Sequence, residues 1–185
     1  MRIFVAALLG AIVLFFWQFV SHTMLPIGDM GFRAPQNEDV VIRAIADGAP
    51  TTGIYALPYI DMEQYGNETA QKAWVEKAKA NRFSFIVVSE PQADPASMGP
   101  QLGKQFSSNF LGALIVSLLL GATAWGFGAR VLGSLGFGIF GWLLNIVPQW
   151  NWYRFPGDYL LGGLLDQGIG WLLAGMPMAW WLGRR

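Results

Sequence analysis

At 185 residues the chain is long enough for one compact unit, or for a membrane bundle carrying one small appendage. Its 54% hydrophobic content exceeds that of a typical soluble domain, and its 13% charged share is about half the usual one. Twelve basic residues balance twelve acidic ones, which leaves no net pull toward nucleic acid. The absence of cysteine excludes disulfides, iron–sulfur clusters and thiolate-bound zinc.

The apolar residues are blocked rather than dispersed, and about 20 of them in a row suffice to cross a bilayer. The first block runs from Ile3 to about Met24 behind a single Arg2. A cleaved signal peptide also begins with a charge and an apolar stretch. Here, however, the bulky Trp17-Gln18-Phe19 sits where small residues should precede a cleavage site, so a retained anchor is expected.

The segment from Pro26 to about Gln105 is more polar and mildly acidic. Asn37 is placed to cap a short helix with Glu38 and Asp39 in its first turn, ending near Asp47-Gly48. Pro50 to Gly53 reads as a turn, and Ile54 to Leu57 as a strand stopped by Pro58. A second helix is expected from the Asn67 cap to about Asn81. Asn67-Glu68-Thr69 also matches a glycosylation acceptor, but the cap accounts for it fully. Phe83 to Ser89 is a nearly continuous apolar run of strand length, which suggests burial on both faces. The strand–helix–strand part is compatible with a right-handed crossover between parallel strands. Pro91, Pro95, Gly99, Pro100 and Gly103 read as a linker back to the apolar region.

Three further blocks follow, at about 110–127, 131–147 and 159–182. The expected fold is therefore a membrane all-α bundle of four transmembrane helices, with a small α+β extracytoplasmic insertion between helices 1 and 2. Its parts are a first transmembrane helix at 1–25, the insertion at 26–105 and three transmembrane helices within 106–185. Gly128 to Arg130 is read as the tight turn between the second and third spans, and Gln149 to Asp158 as the loop between the third and fourth. Trp150, Trp152, Tyr153, Phe155 and Tyr159 at one end, with Trp180 and Trp181 at the other, fit two interfacial aromatic belts. Placing Arg2, Arg130 and Arg184-Arg185 inside puts both termini in the cytoplasm and residues of about 26–105 outside.

Small and polar residues recur at four-residue spacing within these blocks. Asn109, Ala113, Ser117 and Gly121 form one stripe, and Gly162, Asp166, Gly170 and Ala174 another. Gly141, Asn145 and Gln149 form a third, continued by Ser134 and Gly138, while Gln18 and His22 lie four apart in the first span. Small residues let helices approach closely in lipid, and polar groups add bonds between them. Asp166 lies eight residues past Asp158, hence roughly 12 Å deeper along a helix. An ionisable residue at that depth is a candidate functional group. Its expected partners are Asn145, Gln149 or His22, and together with Gln18 these residues define a candidate ligand-binding pocket. The plainer alternative is that the cluster only joins helices.

A zinc or non-haem iron site normally needs several His or Cys ligands, and His22 is the one histidine, so no metal or cofactor is expected. Ser134 falls at the opposite end of its span from His22, and Ser21 beside His22 has no evident third partner, so no nucleophile–base pair is expected. The segment Trp17-Gln18-Phe19-Val20-Ser21-His22-Thr23-Met24-Leu25-Pro26, followed by Pro35-Gln36-Asn37-Glu38-Asp39, resembles uncharacterised bacterial inner-membrane proteins of similar size. That resemblance implies a bacterial inner-membrane location and no activity; with the spans and orientation above, the chain is expected to be multi-pass with a periplasmic insertion. Two functions are weighed on this basis. The first is a non-catalytic accessory or assembly subunit of an envelope or respiratory complex, whose partners are the lipid bilayer and another membrane protein or a copy of itself. The alternative is a binder or carrier of a lipid, quinone-like molecule or proton through an outward-facing polar pocket.

Overall fold

The computed structural model describes residues 1–184, so the second half of the Arg184-Arg185 pair lies outside the described residues. Six α-helices and one small two-stranded sheet make up the described chain: α1 (Arg2–Thr23), α2 (Glu38–Gly48), β1 (Gly53–Leu57), α3 (Glu68–Ala80), β2 (Ser84–Val88), α4 (Gly99–Gly121), α5 (Phe127–Tyr153) and α6 (Gly157–Gly183). They fall into two compact units, one of Met1–Phe32 with Pro95–Arg185 and one of Arg33–Asp94.

The first unit is a bundle of α1, α4, α5 and α6. α1 packs on both α4 and α6, and α5 packs on α6. Its centre is built from alanines and larger apolar residues in equal number: Ala6, Ala7, Ala11 and Leu14 of α1, Ala113, Val116 and Leu120 of α4, and Ala174, Met178 and Leu182 of α6. Alanine at five of these ten positions brings the helix backbones close. α1 and α5 are long and apolar enough to cross a membrane, which points to membrane association. α4 and α6 lack so long an apolar stretch, because α4 opens with polar turns through Ser108 and α6 contains Asp158, Asp166 and Gln167.

Several boundaries differ from those expected. α4 begins at Gly99, so Gly99 to Gly103 are helical rather than linker, with Pro100 tolerated in the first turn where its missing N–H costs nothing. The turn between α4 and α5 lies at 122–126 rather than Gly128 to Arg130. Thr123 fixes it there, donating its hydroxyl to Leu120 O at 2.8 Å and accepting from Trp125 N at 3.4 Å. α5 runs through Pro148 to Tyr153, well past the expected end, because one proline removes a backbone donor without unwinding the flanking turns. It stops at Arg154, which takes a left-handed conformation (φ 56°) of the kind that commonly ends helices.

The second unit holds α2, β1, α3 and β2. Both predicted caps form: Asn37 accepts from Val40 N at 3.2 Å, and Asn67 accepts from Thr69 N at 3.0 Å and Ala70 N at 3.2 Å. Trp74 anchors α3 by donating to Pro58 O at 3.1 Å. The strands pair antiparallel, with Ile54 opposite Val87 and Ala56 opposite Phe85, which corrects the parallel crossover. A connection of this length permits either direction, and only the pairing itself decides. β2 is not buried on both faces as its composition suggests; Val87 is 70% exposed and its cross-strand neighbour Ile54 68%. Replacing Asn67 with alanine leaves two first-turn amides without their acceptor. It is expected to cost about 1 kcal/mol of local stability, read as faster amide exchange across α3.

Candidate functional site

The site lies where the C-terminal turns of α1 meet the first half of α6. Leu14 and Trp17 of α1 pack over Gly170, at which a Cβ would lie 2.8 Å from the indole ring. Glycine is therefore what lets the indole settle on the α6 backbone. The Trp17 indole N–H donates to Asp166 O at 2.9 Å. One turn further along α1, the fully buried Ser21 donates its hydroxyl to Asp166 Oδ1 at 2.5 Å.

His22 completes the cluster. Its Nδ1 lies 3.0 Å from Gln18 O and 2.9 Å from Ser21 Oγ. A carbonyl oxygen only accepts, so the Nδ1–H tautomer would bond Gln18 O, whereas the other would accept from Ser21 Oγ. Ser21 Oγ donates to Asp166 and lies within hydrogen-bond distance of the imidazole, which links His22, Ser21 and Asp166 in one cluster. The cluster sets the exposed His22 imidazole beside a buried hydroxyl and a carboxyl group.

After α1 the chain folds back over this cluster. Gly28 N donates to Ser21 O at 2.9 Å, and a Cβ at Gly28 would lie 2.7 Å from the imidazole Cγ, so the absence of a side chain lets the backbone cross the ring. Ile27 and Met30 then pass close to Gly162 of α6, and Phe32 stacks edge-on against Tyr159 with ring centroids 6.2 Å apart. Between this segment, α5 and α6 remains an open cavity of about 240 Å³. His22, Asp166, Gln167 and Tyr159 give it polar edges, and Ile27, Met30, Phe32 and Ile146 give it apolar walls. That volume falls below the roughly 300–1,000 Å³ of pockets for drug-sized ligands, so it suits a headgroup or a single ring.

The five residues expected to form one pocket separate into different places. His22 and Asp166 line the cavity, although the carboxyl of Asp166 bonds Ser21 rather than Asn145, Gln149 or His22. Gln18 turns toward α4, where it exchanges amide bonds with Asn109 at 2.7 and 3.3 Å. Gln149 accepts from the Tyr159 hydroxyl at 2.9 Å, and Asn145 is exposed. Among the stripe residues, Ala113 and Ser117 are fully buried, and a Cβ at Gly121 would meet Ile3 of α1. Gly138 and Gly141 both face Gln167 of α6, and Gly162 meets Met30. Trp17 and Gln167 were not among the expected pocket residues, and Ser21, expected to lack a third partner beside His22, finds one in Asp166. Trp17 and Ser21 lie four apart and so share a face of α1, but Gln18 and His22 have the same spacing, so the sequence holds no signal that picks one face over the other.

No protein-family model, curated protein or solved structure matches this chain.

Proposed function

We propose that this chain is a multi-pass inner-membrane protein of four spans that binds a small amphipathic molecule, a lipid headgroup or a quinone-like ring, in the cavity beside His22 and Asp166. The observation that carries the reading is the pairing of the His22–Ser21–Asp166 chain with apolar walls in one open cavity. A polar head would meet the imidazole and carboxyl edges, and an apolar body would lie along Ile27, Met30 and Ile146. Embedding is supported by the outer surface of the bundle. Phe4, Leu8, Ile12, Phe16 and Phe19 of α1 are exposed at helical spacing, as are Leu111, Ile115 and Leu118 of α4 and Leu132, Phe140 and Leu144 of α5. In water that surface would be an aggregation hazard, whereas lipid tails would solvate it. In this reading both termini and the 122–126 turn are cytoplasmic and residues of about 26–105 periplasmic, following the positions of Arg2, Arg130 and Arg184.

A second reading, an accessory subunit that docks a larger envelope or respiratory complex, is favoured by the second unit. It exposes Val40, Ile42, Ile54 and Val87, more apolar surface than so small a unit needs. Purification of the full chain from native membranes in mild detergent, with mass spectrometry of what co-purifies, separates the two. The pocket reading expects one defined small amphipathic molecule that is lost on Asp166→Ala. A stoichiometric protein partner with no bound small molecule supports docking and sinks the pocket.

A further inference from the structure

The far end of the bundle holds a buried guanidinium with no ion-pair partner among the described residues. A Cβ at Gly121 would lie 2.5 Å from Ile3 and 3.6 Å from Leu182, and one at Gly183 would lie 4.0 Å from Arg130 Nη1. The start of α1, the end of α4, the start of α5 and the end of α6 therefore meet there. Arg130 is 9% exposed, and its guanidinium donates one bond, from Nη2 to Thr123 O at 3.2 Å. Among the described residues its buried Nε has no acceptor, and nor has the buried indole N–H of Trp181 near the end of α6. The acidic residues of this unit, Asp29, Asp158 and Asp166, all belong to the opposite end, whereas Arg2 and Arg184 join Arg130 at this one.

A buried guanidinium without a counter-charge is costly, and five donors on one plane match the oxygens of a phosphate. Arg130 also sits in the first turn of α5, whose Gly126 N-cap has no side chain to satisfy the leading amides. Those amides add donors and a favourable dipole for an anion beside the 122–126 turn. We propose that this end of the bundle binds the phosphodiester headgroup of an anionic phospholipid, with Arg130 as its buried anchor. The proposal rests on the membrane reading above. Arg184, stacked 3.7 Å over the Trp180 ring, stands at the rim where a second lipid oxygen would be met.

The test uses the full chain, delipidated in detergent and offered phosphatidylglycerol, phosphatidylcholine or inorganic phosphate in native mass spectrometry. The expected result is retention of phosphatidylglycerol at least about tenfold above phosphatidylcholine, with that preference lost in Arg130→Gln and reduced in Arg184→Gln. Arg130→Lys keeps the charge without the planar fork. It is expected to fold and to lose several-fold in retention, so wild-type retention in that variant removes Arg130 from the site. Equal retention of the two lipids overturns the proposal, and displacement of phosphatidylglycerol by inorganic phosphate overturns its assignment to a lipid. Alkaline carbonate washing of native membranes separates the two failures. Release of the chain defeats the membrane reading, whereas a retained chain with no lipid preference defeats this site alone.

Discussion

Gly138→Val is expected to be the most damaging single substitution in the bundle. A Cβ at Gly138 would lie 2.6 Å from the backbone carbonyl oxygen of Gln167 and 2.9 Å from Trp171 Cβ. Neither is the free end of a flexible side chain, so relief requires α5 and α6 to separate along their shared contact. Beside it, the buried Ser134 donates to Trp171 O at 2.8 Å, and separation would stretch that bond as well. Overpacking of this kind costs about 3 kcal/mol at its upper end, a fall in Tm of roughly 6–12 °C for a chain of this size. Gly136→Ala, in the same helix, is the control. Nothing lies within 4 Å of its Cβ position, so relief of glycine's backbone entropy should leave stability unchanged or raise it by about 0.5–1 kcal/mol. Similar melting temperatures for the two variants in detergent would show that α5 and α6 are not in the close contact described.

Asp166→Ala is expected to reduce the amount of co-purified small molecule by at least about tenfold, while the bundle stays folded. Folding should survive because Ser21 Oγ has an alternative acceptor in Gln18 O at 3.2 Å, and because Trp17 bonds the backbone oxygen of residue 166 rather than its side chain. Asp166→Asn sharpens the result. Its carbonyl oxygen can still accept from Ser21, so a cluster that merely joins α1 to α6 should tolerate the change within about 1 kcal/mol. A pocket that reads the carboxyl group should lose its ligand even so. Ligand retained in both variants at wild-type levels would leave Asp166 a packing residue and remove the basis of the pocket.

The local features of this protein were legible in its sequence. Asn37 and Asn67 announced helix starts because a capping side chain bonds amides only two or three residues ahead. The four-residue recurrence of Ala113, Ser117 and Gly121, and of Gly162 and Gly170, was visible for the same reason: a helix stacks such residues on one face whatever lies opposite. Apolar blocks likewise announced α1 and α5, whose length and composition need no partner to be recognised.

What the sequence did not contain is which face meets which. The bonds that define the site join residues 145 apart for Ser21 and Asp166, 149 for Trp17 and Asp166, and 91 for Gln18 and Asn109. Two neighbouring faces of α1, one through Gln18 and His22 and one through Trp17 and Ser21, carry the same spacing. Only the packing of α1 between α4 and α6 sends Gln18 to Asn109 and Ser21 to Asp166. Strand direction is equally non-local, since the α3 connection is long enough to return β2 either way and the antiparallel register follows from pairing alone. Periodicity along one helix fixes which residues share a face, while the identity of the opposing surface depends on the mutual packing of all four helices, and that is what places Ser21 against Asp166 in the wall of the cavity.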